Sequence, residues 1–347
     1  VADLWFGIVA LLLTVYVVLD GYDFGAGMLH LFVARTDDER RSVLSAIGPF
    51  WDGNEVWLLA AGGALFMAFP RVLGSGLSGF YFAIMLVTWC LIGRGVAVEL
   101  RSHVPDGLWR AFWDVAFASA SKLLALFFGV ALGNVLRGVP LDADGWFALP
   151  LFTDFSTRPP VGILDGYTLL VGAFAVVVLI AHGGAFLALR TEGAVRPRAV
   201  AFGRAALVAV LVLWPLVTWA TSAVRPGFYD AFAARPLAWV AIGCALGGIV
   251  LAILAPPRGR DGLAFAGTSL FVAGLLAATA VCAYPVLLPG VPDATRSLTT
   301  ANASAPGGPL RIALAWFLPA IALAVLYTLI VGRLHRGRAK AADYGGH

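Results

Sequence analysis

Long apolar runs, broken by short charged or proline- and glycine-rich stretches, set the pattern of this chain. Nine runs stand out, at about 4–33, 54–70, 77–98, 113–136, 166–189, 200–223, 237–254, 263–285 and 312–332. Most approach or exceed the roughly 20 apolar residues that cross a hydrocarbon core about 30 Å thick. Each predicts a membrane-spanning helix, because a helix satisfies its own backbone polar groups in lipid. The run at 54–70 is short and reads as a span or as part of a re-entrant hairpin; a span is the expectation. Breaks such as Pro70-Arg71, Arg158-Pro159-Pro160 and Ala255-Pro256-Pro257-Arg258 separate the runs. The fold class expected is an all-α polytopic membrane protein with about nine transmembrane helices.

Composition supports this reading. Of 347 residues, 60% are hydrophobic and 13% charged, against about 25% charged in soluble domains. The N-terminus lacks a basic n-region, and its apolar run outlasts an h-region, so no cleavable signal is expected. Cys90, Cys244 and Cys282 lie in separate runs without a CxxC pair, which leaves no cysteine metal site or covalent haem motif. The net charge of +4 resides in loops and points to no nucleic-acid partner.

Loop charge predicts orientation. Counting Arg204 at the edge of the third loop, fifteen of the 24 basic residues fall in the loops 34–53, 99–112, 190–199, 255–262 and the tail 333–347; seven fall in the other set. That places the C-terminus in the cytoplasm and the N-terminus outside. The remaining two, Arg94 and Lys122, lie deep inside apolar runs.

The candidate chemistry gathers in the first four runs. Asp20 and Asp23 are spaced i,i+3 and share a helix face, as do Asp52 and Glu55. With 1.5 Å of rise per residue, Asp20 lies about 24 Å from the outer end of the first helix. Arg94 and His182 reach a similar depth, and Lys122 is nearer mid-membrane. Ionisable groups at such depth mark a site or pathway by default. A carboxylate relay for protons is one reading. The other is structural: a carboxylate held by Arg94 or Lys122, with Asp52 capping a helix N-terminus. Gly21, Gly25 and Gly27 suit close helix packing rather than a phosphate loop. Trp51, Trp57, Trp89, Trp109 and Trp113 sit near helix ends as an interfacial belt. Only His30 and His182 among five histidines lie in apolar runs, a poor inventory for a chain holding several haems. The runs divide weakly, with charge in 1–136 and little in 166–285 beyond His182, which suits two four-helix bundles plus the helix 312–332.

Several separated motifs resemble subunit II of the cytochrome bd-type quinol oxidases: the stretch from Asp20 to Leu29, the string Ile47-Gly-Pro-Phe-Trp-Asp-Gly-Asn-Glu-Val-Trp57, Ala61-Gly-Gly-Ala64 with Phe69-Pro70, Phe80-Tyr81, Gly138-Val-Pro140 and Ser297 to Ser304. The resemblance implies two four-helix bundles with a peripheral helix, in a bacterial plasma-membrane complex that oxidises quinol and reduces dioxygen to water. It implies a heterodimer with a haem-bearing subunit I that holds two haems b and one haem d, none ligated by this chain. Small single-helix subunits, lipid and a bound quinone accompany some members. The positions of Trp51, Asp52, Asp23 and Arg94 are tied in the family to proton uptake from the cytoplasm. The family places Glu at the position of Asp20 and Gln at that of Glu55. A proton-coupled secondary transporter is the alternative from another class, since it too carries carboxylates and broken helices within the bilayer.

Overall fold

In the computed structural model, residues 1–339 and Ala341 are described. Lys340 and His347, both in the tail considered above, lie outside the described residues. Twelve α-helices follow one another: α1 (Ala2–Val33), α2 (Asp37–Ile47), α3 (Trp51–Ala68), α4 (Pro70–Gly79), α5 (Tyr81–Leu100), α6 (Gly107–Arg137), α7 (Gly166–Arg190), α8 (Val195–Val224), α9 (Ala231–Ala234), α10 (Pro236–Leu254), α11 (Asp261–Ala283) and α12 (Gly307–Leu334). Two short antiparallel strands, β1 (Val286–Leu288) and β2 (Leu298–Thr299), pair ahead of α12.

Among the described residues, eight helices are long and apolar enough to cross a membrane: α1, α5, α6, α7, α8, α10, α11 and α12. The ninth run differs from a simple span. Its helix α3 has 18 residues, about 27 Å at 1.5 Å each. At Phe69 the chain turns by 117° into α4, and only the bent pair together meets the spanning criterion. Pro70 explains the break. It lacks an N–H and its ring clashes with the preceding turn, so it opens α4 at the first helical position instead of extending α3. The loop after α1 folds as α2, an addition to the apolar pattern. Thr36 and Glu39 form a reciprocal capping box at its start.

Helix α1 is the hub, packed on α3, α6, α7 and α11. Its contact with α7 is backbone to backbone. A Cβ on Gly25 would stand 2.6 Å from the Gly183 Cα, so only glycine permits this approach. Trp5 Nε1 donates to the Leu310 carbonyl at 3.1 Å and pins the start of α12 to α1. Beyond that point α12 is peripheral: none of its apolar window is buried.

Candidate functional site

The spacing of Asp20 and Asp23 along α1 carries both carboxylates to one side, facing α3 and α5. Asp20 is fully buried, and Asp23 and Arg94 are each 1% exposed. Arg94 Nη1 donates to Asp20 Oδ1 at 2.7 Å, and Nη2 donates to Glu55 Oε1 at 2.5 Å. The guanidinium carbon lies 4.6 Å from the Phe24 ring centroid, a cation–π contact that holds the fork in place. One guanidinium thus ties α1, α3 and α5 together.

Asp23 joins through an amide. Asn54 Nδ2 lies 2.8 Å from Asp23 Oδ2, 2.8 Å from the Tyr22 hydroxyl and 3.2 Å from the Leu19 carbonyl. Asn54 is one residue before Glu55, so adjacent positions on α3 reach Asp23 directly and Asp20 through Arg94. Asp20 Oδ2, Asp23 Oδ1 and Arg94 Nε are buried without a hydrogen-bond partner among the described residues. Two carboxyl groups, Asp20 and Glu55, pair with one buried guanidinium, and a third, Asp23, has a neutral amide as its partner. Burying a carboxylate without a cation of its own is costly, and Asp23 is the acid of the three in that position.

The remaining expected site residues sit differently. Trp51 is half-buried, and its ring lies against the position of Gly95 on α5. Asp52 is exposed and stays outside the buried cluster, one turn before Glu55. It occupies an outward stripe of α3 with Val56, Leu59, Gly63 and Phe66. It is not the residue that caps the helix: α3 begins at Trp51, its N-cap is Phe50, and that cap forms no side-chain bond. Lys122 does not hold a carboxylate either. It points outward from α6 and makes no hydrogen bond or ion pair among the described residues.

A second ionic cluster escaped the sequence reading. Asp114, near the start of α6, accepts from Arg101 Nε at 2.6 Å and from Arg40 Nη1 at 2.9 Å, and its Oδ1 lies 2.6 Å from His30 Nε2. Arg101 reaches on to Asp37 at 2.8 Å, and Arg110 closes the network at 3.1 Å. His30 lies seven residues beyond Asp23, about 10 Å further along α1. The available signal was an acid inside the run 113–136. On the opposite side of the protein, Arg137 pairs with Asp165 and donates to Asn134 Oδ1 at 2.6 Å.

The histidines test whether this chain suits a haem. His182 Nδ1 lies 2.8 Å from Thr268 Oγ1, and its Nε2 lies 2.8 Å from the Val18 carbonyl. Its ring stacks on Phe265 with centroids 5.1 Å apart. Both nitrogens are engaged. His30 spends Nε2 on Asp114 and is fully enclosed. Neither presents a nitrogen into open space, so the spanning histidines do not fit haem ligation. Among the described residues no group of three or more His, Cys, Asp or Glu is placed to hold a metal.

Comparison with known proteins bears on this geometry. The profile of the family described as cytochrome bd terminal oxidase subunit II matches residues 1–334. The chain is 32% identical over 329 residues to cytochrome bd-I ubiquinol oxidase subunit 2 of Escherichia coli K12, covering 87% of this chain and 85% of that one. It is 32% identical over 315 residues to cytochrome bd ubiquinol oxidase subunit 2 of Bacillus subtilis 168, covering 89% and 88%. A chain in the solved bd oxidase of Geobacillus thermodenitrificans has the same fold, with a TM-score of 0.71 at 17% identity over 96% of this chain and 98% of that one.

Proposed function

Because the chain belongs to the cytochrome bd terminal oxidase subunit II family, with which residues 1–334 match, we propose that its buried acid cluster takes up protons from the cytoplasmic side for the complex. The protein is a multi-pass membrane subunit of an oxidoreductase complex that also contains a subunit I. Within that complex this chain supports the haem-bearing subunit I and conducts protons toward it. The chemistry supplied by two haems b and one haem d, oxidation of quinol and reduction of dioxygen, belongs in this reading to subunit I. The engagement of His30 and His182 within this chain favours that division.

One observation carries the proposal: Asp20 and Glu55 pair with the buried Arg94 guanidinium, while Asp23, buried beside them, is held by the neutral Asn54 amide and has no ion-pair partner among the described residues. A fully ion-paired knot would be electrically closed and inert. Asp23 stands outside the ion pairs, on the Asn54 amide, and in this reading it is the acid that binds and releases a proton. Asp52 is exposed and one turn from the half-buried Glu55; in this reading it receives protons at the threshold and hands them inward. Trp51 beside it limits access at the threshold. The excess of Lys and Arg in the loop 34–53 and its companions supports a cytoplasmic position for that threshold.

The test is sided proton uptake. Reconstitute the complex in liposomes and follow pH on each side during quinol oxidation. Uptake from the cytoplasmic face, slowed in Asp52→Asn complexes, supports the proposal. Uptake from the opposite face, or unchanged uptake in the variant, contradicts it.

A further inference from the structure

Lys122 is the middle residue of the 31-residue helix α6, about 22 Å from either end at 1.5 Å per residue. It lies on an exposed stripe with Leu108, Phe112, Val115 and Ser119, spaced alternately by four and three residues. The opposite face, with Phe117, Ser121 and Leu124, is the buried one. Lys122 therefore points away from the chain's own core, at the depth where an ammonium is most costly in lipid.

Two escapes are closed to it. No carboxylate of this chain reaches it among the described residues, whereas the buried charges Asp20, Arg94 and Asp114 find ionic partners within the chain. Snorkelling also falls short, because the four-carbon stem covers less than half of the about 15 Å from the core's centre to its edge. Ser119, one turn away on the same stripe, makes the spot a polar notch in an apolar face.

We propose that this stripe of α6 is a contact surface for a membrane-spanning helix of another chain in the complex. That helix carries a carboxylate at mid-bilayer depth and pairs it with the Lys122 ammonium. The inference concerns assembly and is separate from the proton route; either can fail alone.

The chain has two lysines, Lys122 and Lys340, which makes amine chemistry selective. A lipid-soluble carbodiimide, applied to native membranes holding the intact complex, activates a carboxyl and joins it to a neighbouring amine as an amide, releasing the urea. Peptide mapping by mass spectrometry should find Lys122 joined to an Asp or Glu within an apolar stretch of a second chain. Lys122→Arg keeps the charge but forms no such amide, so the product should vanish while the complex still assembles. Lys122→Met should lower recovery of the second chain several-fold. Lys122 recovered uncoupled from the intact wild-type complex, or joined only to a water-exposed loop, would overturn the proposal. So would a Lys122→Met complex that retains its partner chains and thermal midpoint.

Discussion

Arg94 Nη1 and Asp20 Oδ1 stand 2.7 Å apart with side chains 1% and 0% exposed. This pair locks α5 to the hub helix α1 inside the bilayer. Breaking one half of such a pair leaves an uncompensated charge, which costs about 3–5 kcal/mol. Arg94→Gln is expected to lower the thermal midpoint of the purified complex and its yield. Adding Asp20→Asn removes the stranded carboxylate and should recover part of the loss. A denaturation series on the two variants measures this.

Asn54 holds Asp23 without a charge of its own. In Asn54→Leu the Asp23 carboxyl and the Tyr22 hydroxyl lose their shared donor, a cost of about 1–3 kcal/mol for buried groups left unsatisfied. Quinol oxidase turnover should drop with it, because Asp23 no longer keeps one orientation. Turnover per assembled complex, compared with the shape-preserving Asn54→Asp, reports the effect.

The Asp114 network predicts a different phenotype. Asp114 balances Arg101 and Arg40 and bonds His30, and it joins helix ends and not the inner carboxylates. Asp114→Asn should cost about 3–5 kcal/mol in assembly while leaving turnover per haem near the wild-type value. Complex yield and turnover, measured on the same preparation, separate the two roles.

The contrast between these clusters shows what the sequence makes readable. Asp20, Asp23 and Arg94 stand out because charge inside an apolar run is rare, and helical rise alone predicts that they share a depth. Glu55 follows from its spacing to Asp52. Asn54 carries no such signal, since an amide beside a glycine and an acid reads as an ordinary helix start. Arg40, Arg101 and Arg110 look like solvated loop charges until the fold brings Asp37 and Asp114 onto them. The outward facing of Asp52 and Lys122 is not legible in the sequence, for a shared reason. Helices α3 and α6 are apolar on nearly every face, so periodicity does not say which side turns inward. The bend at Phe69 was marked by Pro70, but its angle depends on packing beyond the local sequence.

Close packing of the hub gives a prediction independent of charge. Gly25→Ala places a methyl 2.6 Å from the Gly183 Cα, and overpacking of this kind costs about 1–3 kcal/mol. At Gly243 on α10 a Cβ meets nothing within 4 Å, so Gly243→Ala should be neutral or stabilising by about 0.5–1 kcal/mol. Thermal midpoints of the two variants should move in opposite directions or differ clearly in size.

The central claim is that the buried carboxyls move protons. The most direct measurement is steady-state quinol oxidase turnover of Asp23→Asn complexes purified with a full haem complement. Asparagine keeps the volume and the bond to Asn54 but neither binds nor releases a proton. Loss of the relay predicts turnover lowered by about ten-fold or more, in line with the 10²–10⁴-fold typical of a positioned proton-transfer group. Wild-type turnover at full haem content would contradict the claim and leave the cluster a structural knot.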